Sequence, residues 1–238
     1  MAGAGGQPDD AAADAKPHYH DHRKRLRARF LDGDAEAFPD YELLELLLCF
    51  AIERVDVKPL AKALIAEFGS LPAVLAADPS RLEAFGRMGE RPQALFRAIR
   101  EASRRMLRAE LVQQPVISSW QALLDYCRAS LAEERTERFR VLYLDRKNRL
   151  IADDLQQRGT VDHAPVYPRE VLKRALELGA SALILVHNHP SGDPTPSQAD
   201  VAMTREVRQA ADALGITLHD HVVVGRTGTA SMRALGLL

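Results

Sequence analysis

Five apolar residues, Ala182–Val186, stand between a helix-stopping glycine at Gly179 and a proline-rich loop that opens at Pro190. A run this short, with no polar residue on either face, predicts a central strand that is buried on both sides. Its neighbours supply the covering layers. PREVLKRALEL begins on Pro168, a residue suited to a first helical position, and stops at Gly179. A second helical pattern runs from Ser197 to Leu214 and stops at Gly215, after which Ile216 to Val224 reads as another strand. Upstream, Glu137, Phe139, Val141 and Tyr143 share one face of a period-two pattern, with Arg138 and Arg140 between them. Asp145-Arg146-Lys147-Asn148 supplies a turn, and residues 149–152 return as the next strand. The C-terminal half is therefore α/β.

The N-terminal half has a different period. YELLELLLCFAI from Tyr41, KPLAKALIAEFG ending on Gly69, a segment after Asp78-Pro79, and RPQALFRAIREASRRML all follow helical spacing. Pro115 and the Ser118-Ser119 pair mark a boundary, with Ser119 expected to cap a helix from Trp120 to about residue 134. The expected organisation is a disordered tail at 1–17, an all-α unit at 18–112 and an α/β unit at 116–238. Lys and Arg number 32 against 33 Asp and Glu, a balance that argues against wholesale nonspecific binding to nucleic acid. Basic runs at Arg23–Arg29 and at Arg97, Arg100, Arg104, Arg105 and Arg108 read as solvated helix faces. The longest apolar stretch, Leu46–Ile52, is seven residues, against the roughly 20 that a membrane-spanning helix needs, so no span is expected. The sequence MAGAGGQPDDAAADAK carries acids where a signal peptide carries basic residues and has no apolar core, which predicts a cytoplasmic protein. Cys49 and Cys127 read as small hydrophobes, and two cysteines so far apart build neither a cysteine-rich zinc site nor the paired-cysteine site of nucleobase deaminases.

The chemistry is concentrated in HNHPSGDPTPSQAD, residues 187–200, directly after the buried strand. Residues two apart on a strand point the same way, so His187 and His189 leave the sheet with both imidazoles on one side. Asp200 falls in the first turn of the next helix, where its carboxylate turns back toward them. Two imidazoles and one carboxylate make a three-ligand metal site of the zinc type with one position left for water. Ser197 and Asp200 are also spaced as a helix-capping pair, which is a purely structural use of the same residues. The carboxyl end of a buried strand, where α/β sheets place their sites, favours the metal reading. Such a site needs a base, and Glu137, on the face of Phe139, is the first candidate, ahead of Asp154 and Asp193. His219-Asp220-His221 is a second cluster with paired histidines but no spaced third ligand, and reads as structural. His18, His20 and His22 read as solvated.

H-x-H-x7-S-x2-D, filled by His187, His189, Ser197 and Asp200, resembles the JAMM (MPN+) metalloprotease motif. With HDHRKRLRARFLDGD, PDYELLELLL, VLYLDRKNRL, the Gly159-Thr160 pair and LHDHVVVG, the chain resembles the RadC family over nearly its whole length. That resemblance implies an N-terminal helical domain followed by a JAMM/MPN-type curved sheet flanked by helices, of cytidine-deaminase-like architecture and α+β/α/β class. It implies one Zn2+ per chain on His187, His189 and Asp200, Glu137 as general acid/base, and Ser197 as a hydrogen-bonding support for the tetrahedral intermediate. The implied reaction is hydrolysis of an amide or isopeptide bond in a protein or peptide substrate. In that family an Asp-His pair is usual at this place, from which a ligand-orienting role is expected for Asp220 and His221. The helical region resembles a helix-hairpin-helix unit, which implies contact with a DNA backbone. Here Phe85-Gly86-Arg87-Met88-Gly89-Glu90 departs from the Gly-hydrophobic-Gly pattern, because Arg87 stands where its first glycine belongs. Two other readings compete: a non-catalytic DNA-repair or recombination accessory with a structural metal, and a metal-dependent nuclease.

Overall fold

The computed structural model describes residues 18–33, 35–158 and 166–238. The expected tail at 1–17 and the Gly159-Thr160 pair lie outside the described residues, as do the side chains of His18 and His20. The chain divides into two units, one ending at Leu95 and the other spanning Phe96–Leu238. The division falls inside a long helix that ends just before Pro115.

The first unit is helical, with α1 (His18–Asp32), a short 3-10 turn (Ala35–Ala37), α2 (Asp40–Ala51), α3 (Lys58–Phe68), α4 (Leu71–Leu75) and α5 (Pro79–Glu83). α3 stops because Gly69 takes a left-handed φ of 88°, and the next residue, Ser70, caps α4 by accepting from the Ala73 amide. Part of the basic run on α1 has an internal use. The Arg23 guanidinium donates to the carbonyls of Cys49, Ile52 and Val55, around the C-terminal end of α2 where free carbonyls gather. Arg29 pairs with Glu42, while Lys24, Arg25 and Arg27 are exposed. His22, read from the sequence as solvated, is instead half-buried and bonded to the buried Glu45. Gly86 and Arg87 have φ of 66° and 56°, so the arginine takes up the left-handed turn despite its side chain, ahead of the buried Met88.

α6 (Glu90–Gln113) leads to α7 (Trp120–Leu131). Ser119 stands at the N-terminus of α7, but its hydroxyl donates to the Pro115 carbonyl and does not cap the helix, because the linker folds back on itself there. β1 (Arg138–Leu144), β2 (Leu150–Arg158), α8 (Pro168–Leu178), β3 (Ala182–Asn188), α9 (Gln198–Ala213), β4 (Thr217–Val224) and β5 (Thr229–Ser231) follow. The five strands form one sheet in the order β2-β1-β3-β4-β5, with β3 and β4 parallel and the other neighbours antiparallel. β3 is fully buried, as its composition requires, because its two faces serve separate cores. Leu142, Ile184, Val186 and Val222 meet Leu123, Tyr126 and Leu131 of α7 on one face. Val141, Leu183 and Leu185 meet Val171 and Ala175 of α8 and Val207 and Ala211 of α9 on the other. Both cysteines are free thiols. Among the described residues no helix is long and apolar enough to cross a membrane.

Candidate metal centre

His187 is the sixth residue of β3, wholly buried on the α9 face, and Phe139 of β1 lies opposite it in register. The chain then leaves the sheet through a loop that is held at several points. The His189 amide donates to the Val224 carbonyl at 2.9 Å, and the Arg226 guanidinium donates to the Pro190 and Ser191 carbonyls, each at 2.8 Å. Gly192 turns the loop at φ 98°, and a Cβ on Gly225 would stand 2.2 Å from its carbonyl oxygen, so only glycine fits at 225. The loop that aims His189 is thus clamped by the turn between β4 and β5.

Asp200 comes from the first turn of α9. The Asp200 amide donates to Ser197 Oγ at 3.1 Å, while Asp200 Oδ2 accepts from the Ser197 amide at 2.7 Å and from its hydroxyl at 2.6 Å. The structural and functional uses of this pair therefore coincide: the capping box fixes the rotamer that turns the carboxylate inward. Asp200 Oδ1 lies 3.3 Å from His187 Nε2, and Oδ2 lies 3.4 Å from His189 Nε2. The two Nε2 atoms are 3.0 Å apart, and the ligand atoms of all three residues fall within 4.8 Å of one another.

The donor set suits a cation. His189 Nδ1 lies 2.9 Å from the Asp193 carbonyl, which only accepts, so Nδ1 carries the proton and Nε2 turns its lone pair inward. Nitrogens bound at about 2.0–2.1 Å to one tetrahedral zinc stand about 3.3 Å apart, close to the separation seen. Burial alone would raise the Asp200 pKa, but the closeness of His187 and His189 and the bond from Ser197 hold it well below the usual carboxylate range. The bond to Asp200 raises His189 against the opposing effect of burial, with help from the Asp193 carbonyl and the charge of Glu137.

Glu137 immediately precedes β1 and is half-buried. Its position is set from β3: Asn188, between the two histidines and pointing the other way, accepts from the Arg138 amide at 2.9 Å and donates to the Glu134 and Thr136 carbonyls at 3.2 Å. The strand that carries the histidines therefore also holds the segment carrying Glu137. The rival carboxylates are engaged elsewhere. Asp154 accepts from Arg174 at 2.8 Å, and Asp193 accepts from the Thr195 amide and hydroxyl.

The second histidine cluster divides. His219 Nε2 reaches Asn148 Oδ1 at 2.7 Å, whereas His221 is wholly buried with Nε2 2.8 Å from His187 Nδ1. Asp220 bonds to Ser231 and to the Arg233 and His221 amides, so of the Asp-His pair only His221 touches a ligand residue. Thr204, one helical turn after Asp200, bonds to both Asp200 and His221. Asn188, Thr204 and Arg226 escaped the sequence reading, although the spacing of four from Asp200 to Thr204 is a usable signal.

The RadC-like JAB domain family matches residues 117–237. A UPF0758 protein of Rhodobacter capsulatus is 62% identical over 213 residues, covering 90% of this chain and all of that protein. A UPF0758 protein of Ruegeria pomeroyi is 59% identical over 223 residues, covering 93% of this chain and all of that protein.

Proposed function

The chain belongs to the RadC-like JAB domain family, and from that premise we propose that it is a zinc-dependent hydrolase of an amide or isopeptide bond in a protein or peptide. The observation that carries the reading is the convergence of His187, His189 and Asp200 on one point at the carboxyl end of a buried strand. A zinc ion held there by His187, His189 and Asp200 would supply Lewis acidity to polarise a carbonyl and to make water nucleophilic near neutral pH. Glu137 would serve as the general base and acid, taking a proton from the attacking water and giving it to the leaving nitrogen. Ser197, whose hydroxyl is now directed at Asp200, is the nearby side-chain donor for the oxygen on which charge develops. An apolar groove lined by Pro196, Val201, Ala202 and Leu237 adjoins Ser197 and gives a substrate side chain a place to rest. The test is metal content by mass spectrometry on untagged wild type and on the His187→Ala/His189→Ala variant, followed by peptide and isopeptide screening. About one zinc per chain, lost in the variant, with turnover abolished and zinc retained in Glu137→Gln, is the expected result. Folded wild type that takes up no zinc overturns the reading, and zinc that survives in the double variant moves the site elsewhere.

A second reading concerns the first unit, and its observation is the tight left-handed turn at Gly86 and Arg87, with Arg87 exposed, directly before α6. Such a turn presents backbone amides and a guanidinium to a phosphate. Duplex DNA binding that weakens with salt and falls in Arg87→Ala is the expected result, and salt-independent or absent binding overturns it.

A further inference from the structure

A line of buried polar groups runs from the helix that carries Asp200 to the ligand face of His187. Thr204, His221 and His187 are each no more than 1% exposed. Thr204 Oγ1 lies 2.6 Å from the Asp200 carbonyl and 2.6 Å from His221 Nδ1, and His221 Nε2 lies 2.8 Å from His187 Nδ1. The protons along this line follow from counting. A contact of 2.6 Å between two oxygens needs a proton, and a carbonyl has none to give, so the single hydroxyl proton of Thr204 goes to the Asp200 carbonyl. Thr204 Oγ1 then has only a lone pair for His221, and His221 Nδ1 must be the donor. His221 is wholly buried and its ring nitrogens meet only an imidazole and a hydroxyl, with no carboxylate to balance a charge, so the ring is a neutral imidazole and its Nε2 has a lone pair. That lone pair needs a proton from His187 Nδ1.

We infer that Thr204 and His221 are positioning residues that lock the proton of His187 on Nδ1 and so keep its Nε2 lone pair free for a cation. Thr204 bonds at once to the backbone of Asp200 and to the imidazole behind His187, so one hydroxyl ties the two ligands to a single arrangement. In many metal sites a carboxylate or backbone carbonyl does this work for a ligand histidine. A neutral imidazole does it here, and it accepts the proton without adding a charge to the centre. Phe139 flanks both rings, with centroids 6.2 Å from His187 and 5.6 Å from His221, and keeps the line apolar on that side. The geometry stands by itself, and only its consequence for the cation rests on the zinc reading above.

The experiment has two arms. Long-range proton–nitrogen correlation spectra of the metal-free wild type, with rings assigned by single His→Gln variants, are expected to show His221 with its proton on Nδ1. A His221 proton on Nε2 overturns the inference, whatever the protein does with metal. Zinc affinity by chelator competition is expected to fall about tenfold to a hundredfold in Thr204→Val and to recover in Thr204→Ser, which keeps the hydroxyl. Affinity unchanged in a folded Thr204→Val overturns the positioning role. Wild type that binds no zinc refutes the zinc reading, and the spectra then decide the inference.

Discussion

Two His-x-His segments stand on adjacent parallel strands, at 187–189 at the end of β3 and at 219–221 within β4, and the protein uses them differently. In the first, both rings meet, with Nε2 atoms 3.0 Å apart. In the second, one ring reaches Asn148 and the other enters the ligand centre. The cause is a register shift: Leu183 pairs with Leu218 but Ile184 pairs with Asp220, so His219 is the extra residue of a bulge. Leu218 and His221, three apart, consequently face the same α8–α9 layer. Identical spacing thus yields a chelating pair on one strand and a split pair on its neighbour.

The largest expected contrast separates the two segments directly. His189→Ala lowers zinc affinity more than about a hundredfold, whereas His219→Ala changes it less than about threefold, in paired calorimetric titrations. Equal losses from both would show that the segments act alike.

Acidity sharpens the comparison further. Because the Asp200 bond raises His189, zinc must displace a proton there, so affinity rises about tenfold per pH unit until pH passes the raised pKa, and then levels. For folding of the metal-free protein the sign reverses. The raised His189 pKa contributes stability that is complete below its ordinary value of 6.5 and disappears as pH rises through the folded value. Denaturant melts of wild type against His189→Ala at several pH values are expected to converge on the alkaline side.

Smaller effects test the local devices. Ser197→Ala removes the helix cap and lowers stability by about 1 kcal/mol in urea melts while zinc stays bound. Deleting His219 should regularise the bulge and leave His221 in register with Leu185. The expected cost is about 1 kcal/mol for the lost bond to Asn148, with zinc affinity within about threefold of wild type. Loss of zinc in that deletion would show that the bulge itself orients His221.

Much of this protein was legible in the sequence because periodicity and spacing are local properties. Ala182–Val186 announced a strand buried on both faces, Pro168 and Gly179 bounded α8, and two-residue spacing placed His187 and His189 together. Ser197 and Asp200 were legible as a cap, which the structure shows, and Asp200 also as a candidate ligand, which the structure brings together with both histidines. α4 was not legible, because five residues carry too little periodicity to read. The hydroxyl of Ser119 went elsewhere because its acceptor, Pro115, is set by a turn and not by the helix it precedes. The tertiary structure alone decided the register of β4 on β3, and with it which histidine of the second segment reaches the centre. It alone placed Thr204, Asn188 and the clamping Arg226 against their partners, contacts that span 17, 50 and 36 residues of chain respectively. Side chains that far apart meet only where strand pairing and helix packing bring them together, so the spacing of residues along the chain marks the candidate ligands but not the groups packed behind them.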